Sequence, residues 1–203
     1  VNRETITVAL PLEYVRDTRD SKLNPTTGTR LSLLVEPAYE INGAATFVKL
    51  RAEASAYRAL DAEKRFVLAG RVAAGSIYGA DLASIPANRR FYAGGGGSVR
   101  GYGYQDIGPV DATGLPTGGR SMIESSVELR IGVTETIGIV PFVDAGLVSA
   151  SQNFSNAEFK AGAGLGVRYA TPFGPLRVDV AVPLNKGPSD PDYGIYAGIG
   201  QAF

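Results

Sequence analysis

Apolar and polar side chains alternate with a period of two along most of this chain. Residues 159–169 give the clearest example. One face of this segment carries Phe159, Ala161, Ala163, Leu165, Val167 and Tyr169, and the other carries Lys160, Gly162, Gly164, Gly166 and Arg168. A period of two is the repeat of a β-strand, in which successive side chains point to opposite faces of the sheet.

The same alternation recurs along the whole length of the chain. The segments that show it are 5–17, 31–38, 48–56, 64–77, 121–133, 137–150, 159–169, 176–184 and 192–203. Most of the connections between them are too short for a helix, which favours consecutive antiparallel pairing. The pattern therefore predicts an all-β antiparallel meander of about nine strands, many of them longer than the usual ~5–6 residues.

The alternation alone is compatible with two environments for the apolar face. In a soluble sandwich this face forms the core, whereas in a membrane barrel it contacts lipid and the charged face lines the lumen. Two features favour the barrel. The apolar face is rich in small residues such as Ala52, Ala54 and Ala56, which would fill a sandwich core poorly. Connections also alternate between short and longer ones, although the turn near 18–28 is longer than this scheme predicts.

Composition removes several classes of function. Lys and Arg together number 20, as do Asp and Glu, so the charge balance does not favour a nucleic-acid partner. The chain has no Cys and no His, which excludes thiolate chemistry, Ser-His triads and His-ligated metals within it. Catalysis by carboxylates or lysine stays formally open, but charges of mixed sign are the ordinary lining of a barrel. We expect no enzymatic activity, no metal and no cofactor.

Residues 78–120 form a connection far longer than the ~12–15 residues of an ordinary loop. It contains four consecutive glycines, 94–97, followed by Ser98 and then Val99-Arg100-Gly101-Tyr102. A glycine-rich run cradles phosphate when it opens a helix, and nothing helical is predicted after this one. The loop is therefore expected to have another role.

Four motifs resemble the outer-membrane protein assembly superfamily that includes BamA, TamA and the two-partner secretion transporters. In chain order they are Val99–Tyr102, Gly118–Ser121 with Ser126–Arg130, Phe142–Gly146, and Ile199–Phe203. The resemblance covers nearly the whole chain. The phrase FYAGGGGSVRGYGYQ, the ending IGQAF and the turn at 23–30 are most similar to the TamA branch, with BamA second.

The resemblance implies a fold and a function. It implies that residues 1–203 are the C-terminal part of a transmembrane barrel in the bacterial outer membrane, with loop 78–120 folded into the lumen and with the N-terminal strands and POTRA domains absent. It implies a TamA-like factor that inserts or exports client β-barrel or autotransporter proteins in outer-membrane lipid, together with a periplasm-spanning partner subunit. A BamA-type insertase, a two-partner secretion transporter and a passive porin are the alternatives.

The resemblance also implies the site residues. Arg100, with Val99, Gly101 and Tyr102, is expected to form a loop latch by pairing with Glu128 and Asp144 on the inner wall. Gly162, Gly164 and Gly166 are expected to leave room for the loop, or else to serve the curvature of the barrel. The last strand carries Tyr196, Gly198, Gly200 and Phe203, which the resemblance assigns to a weak seam with the first strand and to a targeting signal.

Overall fold

A computed structural model describes residues 4–155 and 157–203; residues 1–3 and 156 of the domain expected over 1–203 lie outside it. Within this part the chain forms ten strands. They are β1 (Thr7–Ala9), β2 (Leu12–Asp17), β3 (Gly28–Glu40), β4 (Ala45–Ala59), β5 (Phe66–Tyr78), β6 (Ser121–Gly132), β7 (Ile137–Ser149), β8 (Lys160–Tyr169), β9 (Leu176–Pro183) and β10 (Gly194–Ile199).

Strands β1 and β2 correspond to the single strand predicted over 5–17. Both pair with β3 in one continuous register, from Thr7 opposite Glu40 to Leu12 opposite Val35. The interruption falls at Leu10 and Pro11, where proline has no N–H to donate to the ladder. The ten observed strands and the nine predicted ones therefore describe the same sheet.

The strands form one antiparallel sheet in chain order, from β1 and β2 beside β3 through to β10. Each hairpin pairs neighbours along the chain, and β3 to β7 contain 12 to 15 residues each. The predicted meander is confirmed. No helix in the described ranges has the length and apolar character needed to cross a bilayer.

The two faces of the sheet differ as the alternation predicts. In β8, the apolar Leu165 and Val167 are about half exposed, whereas Arg168 on the opposite face is buried. The same holds in β9, where Val178 and Val180 point outward and Asp179 is fully buried. The outer face is therefore apolar and accessible, while the charged side chains gather inside the curve of the sheet.

The connections differ in length between the two ends of the sheet, which we call the short-loop end and the long-loop end. Residues 60–65, 133–136 and 170–175 turn at the short-loop end, and loop 79–120 leaves and re-enters at the long-loop end. The β3–β4 turn at 41–44 is also at the long-loop end but is tight. The alternation in loop length is thus a tendency that this hairpin does not follow.

Loop 79–120 packs inside the sheet near the long-loop end. It contains two single-turn 3-10 helices, Leu82–Ser84 and Ala87–Arg89, and isolated bridges such as Phe91 with Gly119. Its apolar side chains join inward-facing residues in one buried cluster. The cluster consists of Ala38, Phe47, Ala73, Ile77, Ile85, Phe91, Ala93, Val99, Tyr102, Ile107, Met122 and Val148. The inner face predicted as charged is therefore apolar and filled near this end.

Candidate functional site

The glycine-rich run carries the latch motif into the interior of the sheet. Gly94 and Gly95 have φ values of 108° and 95°, in the left-handed region that favours glycine. The chain then turns, and the Ser98 N–H donates to the Gly95 carbonyl at 3.1 Å. Gly101, with φ 103°, is also left-handed, and a Cβ there would lie 2.9 Å from the carbonyl carbon of Val182. A larger residue at Gly101 would therefore push the loop off the wall.

Arg100 is almost completely buried and contacts both carboxylates that the resemblance pairs with it. Its Nε and Nη2 donate to the two oxygens of Asp144 at 2.7 and 3.0 Å, and its backbone N–H donates to the same carboxylate at 3.1 Å. Its Nη1 lies 3.0 Å from Glu128 Oε1. The planar guanidinium thus uses the two-pronged geometry that lysine lacks.

A third carboxylate, Asp179 on β9, also binds Arg100. Arg100 Nη1 donates to Asp179 Oδ2 at 3.0 Å. The alternation over 176–184 puts Asp179 on the face opposite Val178 and Val180, but no motif assigned it to the latch. One indication of this role was present in the sequence, because Asp179 is the only acidic residue of β9 and faces inward. The register adds that it lies opposite Gly166 of β8. The latch therefore joins the loop to β6, β7 and β9 at once.

Arginines on the wall share these carboxylates. Arg130 Nε lies 3.1 Å from Glu128, and Arg168 is hydrogen-bonded to Asp179. Asp144 differs, because within the described residues Arg100 is the only cation that contacts it. Its other side-chain partner is the neutral Ser126 hydroxyl, which donates a hydrogen bond to it. Removing Arg100 would thus affect Asp144 the most.

Arg100 stays charged in this setting. Burial by itself disfavours the charged guanidinium, but its hydrogen bonds to Asp144 and the nearby charges of Glu128 and Asp179 raise the pKa of Arg100 above its ordinary value. The face of the guanidinium also lies 3.4 Å from the centre of the Phe142 ring, a cation–π contact. Phe142 is the second contributor that the sequence analysis missed; the resemblance placed it in a motif without a role.

The three glycines of β8 make room for different neighbours. A Cβ on Gly162 would lie 2.0 Å from the Arg100 carbonyl oxygen. A Cβ on Gly164 would instead meet Val180 of the wall and the Phe142 ring, and one on Gly166 would meet Asp179 and Arg168. Gly162 alone of the three faces the loop directly. The other two make space for the side chains that surround Arg100.

A second attachment lies two residues before Arg100. The Ser98 hydroxyl donates to Glu124 of β6 and accepts a hydrogen bond from the Gly94 N–H at 2.9 Å. Arg71 of β5 links Glu124 to Glu53 of β4, at 3.1 Å to each. The loop is therefore fixed to the wall at Ser98 and at Arg100, the residues on either side of Val99.

The seam residues occupy two different places. Tyr196 and Gly198 lie in β10, paired with Asp179 and Arg177 of β9. Gly200 has φ 87° and ends the strand, so the strand predicted over 192–203 is too long at both ends. After it the chain turns inward, and the Phe203 carbonyl accepts a hydrogen bond from Arg130 Nη2 at 3.2 Å.

The inward turn of the last residues is held by the connection between β2 and β3. The Gln201 N–H donates to the Leu23 carbonyl at 3.0 Å, and the Gln201 side chain donates to Asn24 at 2.9 Å. The Phe203 ring lies 6.1 Å from that of Tyr57. The unusual length of the turn near 18–28 thus corresponds to a contact across the short-loop end.

Three acidic residues inside the sheet surround the guanidinium of Arg100. Within residues 4–155 and 157–203, no group of three or more His, Cys, Asp or Glu is arranged to hold a metal ion. Glu128, Asp144 and Asp179 converge, but on the guanidinium of Arg100. What this arrangement does is hold a loop in place.

A curved meander of long strands, apolar outside and charged inside, with a loop anchored in the lumen, defines a segment of an outer-membrane β-barrel. The Omp85 superfamily domain matches residues 1–203, and the chain belongs to that superfamily. The resemblance to the BamA and TamA superfamily is thereby confirmed at the level of the family. The matches do not distinguish the TamA branch from BamA.

Two relatives illustrate the match. The chain is 35% identical over 191 residues to the outer membrane protein assembly factor BamA of Nitratidesulfovibrio vulgaris, covering 91% of this chain and 24% of that protein. It resembles the crystal structure of BamA from Haemophilus ducreyi lacking POTRA domains 1–3, with a TM-score of 0.73, 21% identity, and coverage of 92% of this chain and 41% of that one. The chain spans about a quarter of the length of the first relative.

Proposed function

We propose that this chain is the C-terminal barrel portion of an outer-membrane protein assembly factor, which inserts or exports client β-proteins and is not an enzyme. The observation that carries the proposal is the binding of Arg100, a loop residue, by Glu128, Asp144 and Asp179 on three strands. Three carboxylates around one buried guanidinium fix the loop at a defined depth. The relative from Nitratidesulfovibrio vulgaris, which is named an outer membrane protein assembly factor, supports the same conclusion.

The filled interior argues against a passive porin. A porin needs a water-filled channel, whereas loop 79–120 places a buried apolar cluster and a buried ionic cluster inside the curve of this sheet. A channel would have to expel both clusters before it could conduct. A closed lumen is compatible with an assembly factor, because the proposed addition of a client strand takes place at the edge of the sheet and not through the lumen.

The last strand provides an edge at which a client strand could add. β10 pairs with β9, and in the described part of the chain its other edge is open. It is six residues long and begins with Gly194, with Gly198 near its end. Short, glycine-containing strands pair weakly. We propose that this edge forms the seam of the complete barrel and that a client strand replaces the first strand there, by β-augmentation.

The finer assignment is to the TamA branch, on the phrase FYAGGGGSVRGYGYQ and the ending IGQAF. This assignment includes autotransporters among the clients and a periplasm-spanning partner subunit. A BamA-type insertase is the second candidate, supported by the relative that is 35% identical.

The experiment for this proposal locks the seam. In the full-length protein, Ala197 of β10 and the facing residue of the barrel's first strand are replaced with cysteine, and insertion of a client β-barrel into lipid vesicles is measured. We expect oxidation to reduce insertion at least tenfold and dithiothreitol to restore it. Each single-cysteine variant, oxidised in the same way, is the matched control. Unchanged insertion by the locked protein would reject the gated seam.

The lipid-facing assignment gives a separate prediction. Leu165 lies in the middle of β8 and points outward. We expect Leu165→Arg to lower the free energy of unfolding in vesicles by about 2–4 kcal/mol, because a charge near the bilayer midplane is poorly solvated. Leu115→Arg, on the exposed part of the loop, is the control and should cost less than about 0.5 kcal/mol. Equal effects in urea titrations would contradict the assignment.

A further inference from the structure

Tyr196 of β10 contacts the backbone of the latch. Its hydroxyl accepts a hydrogen bond from the Gly101 N–H at 2.9 Å and donates one to the Tyr102 carbonyl at 2.9 Å. Both partners belong to the motif that carries Arg100. A single hydroxyl therefore binds backbone groups of two adjacent loop residues, and it comes from the last strand of the sheet.

Contacts next to these two hydrogen bonds make the Tyr196 side chain and the glycine run of the loop complementary in shape. A Cβ on Gly96 would lie 2.8 Å from the Tyr196 ring, so the ring packs directly against the glycine run. Arg177 Nη2 also donates to the Gly96 carbonyl, at 3.4 Å. Gly101 itself lies against the backbone of β9 at Val182. The loop is thus held on one side by carboxylates of β6 and β7 and on the other by β9 and β10.

We propose that Tyr196 couples the loop latch to the last strand, so that displacement of β10 and release of the loop favour each other. This inference rests on the proposed function, in which the last strand moves when a client adds. It assigns Tyr196 as a positioning residue for the loop, in addition to its place in the seam.

The physical basis is the short range of hydrogen bonds and the weak attachment of β10. Hydrogen bonds weaken steeply once the donor and acceptor move beyond about 3.5 Å, so a shift of β10 by about one residue breaks both contacts. Within the described residues, β10 is paired along one side only, with β9. Coupling of two equilibria is reciprocal, so a released loop should loosen β10 by the factor by which a displaced β10 loosens the loop.

The first test measures how accessible the latch is. This chain contains no cysteine, so Val99→Cys, introduced into a full-length protein freed of any other thiols, reports on the loop, because Val99 is fully buried. We expect Tyr196→Phe to increase the rate of maleimide labelling by about tenfold, since two neutral hydrogen bonds are lost. Tyr193→Phe, an exposed tyrosine just before β10, is the matched control and should not change the rate.

The second test looks for the reverse effect. Hydrogen exchange of the β10 amides should become faster in Arg100→Ala as well as in Tyr196→Phe, and stay unchanged in Tyr193→Phe. Labelling of Tyr196→Phe at the Tyr193→Phe rate, or β10 exchange unaffected by Arg100→Ala, would overturn the coupling. If Tyr196→Phe does not fold, as judged by heat-modifiable gel mobility, Gly96→Ala is the second variant, with the same two expectations.

Both measurements use the protein without a client. A wild-type protein that fails to insert clients would reject the proposed function and leave the coupling intact if Tyr196→Phe still labels fast. A wild-type protein that inserts clients while Tyr196→Phe labels slowly would reject the coupling alone.

Discussion

Arg100→Ala is expected to lower the free energy of unfolding by about 3 kcal/mol, because it leaves Asp144 buried without a cation. The loss falls at the lower end of the range for broken buried ion pairs, since Glu128 and Asp179 keep Arg130 and Arg168 as partners. The loop should also leave the wall. Urea titrations followed by heat-modifiable gel mobility measure the first effect, and the labelling of Val99→Cys measures the second.

Two further variants make the Arg100 result specific. Arg100→Lys keeps the charge but loses the two-pronged contact with Asp144 and the stacking on Phe142, so we expect an intermediate loss. Arg58→Ala removes an exposed arginine from the outer face of β4 and should stay within about 0.5 kcal/mol of the wild type. Wild-type stability in Arg100→Ala would show that the ionic cluster does not hold the loop.

Gly162→Ala is expected to displace the loop by overpacking. Its Cβ would lie 2.0 Å from the Arg100 carbonyl oxygen, and backbone atoms cannot rotate away as a flexible side chain can. We expect a loss of about 2–3 kcal/mol in the free energy of unfolding and faster labelling of Val99→Cys. The same urea titration and labelling assay apply.

The control for Gly162→Ala is a strand glycine that has space for a methyl group. Gly70 of β5 meets only the Ser126 carbonyl oxygen, at 3.9 Å, so Gly70→Ala should be neutral or slightly stabilising. If Gly162→Ala behaves like Gly70→Ala, then Gly162 serves the curvature of the sheet and not the loop.

The strands and their two faces were predictable because period-two alternation is a local property of the sequence. The prediction assigned Leu165 to the outer face and Arg168 to the inner face without knowledge of any pairing. Strand ends were less predictable. The break at Pro11 depends on the missing N–H of proline and the end of β10 at Gly200 on a left-handed backbone conformation, and alternation encodes neither.

The site was predictable in part, and for a different reason. Arg100, Glu128 and Asp144 came from motifs, which mark residues by resemblance. Asp179 and Phe142 were missed as contributors because their contacts depend on the register between β8 and its neighbours and on how deep the loop reaches. The division of roles among Gly162, Gly164 and Gly166 was hidden for the same reason, since each meets a different neighbour.

The order of layers in the lumen has a consequence for ionic strength. The apolar cluster, which includes Met122 and Val148, lies at the long-loop ends of β6 and β7, while Glu128 and Asp144 lie deeper in the same strands. Dissolved ions screen charges that they can approach, within a Debye length of about 10 Å at 0.1 M. Ions that enter at the long-loop end meet the apolar cluster first, and Arg100 and its three carboxylates are themselves buried. Molar sodium chloride should therefore leave the latch closed, and displacement of the surrounding strands is a route to its release that does not depend on ionic strength.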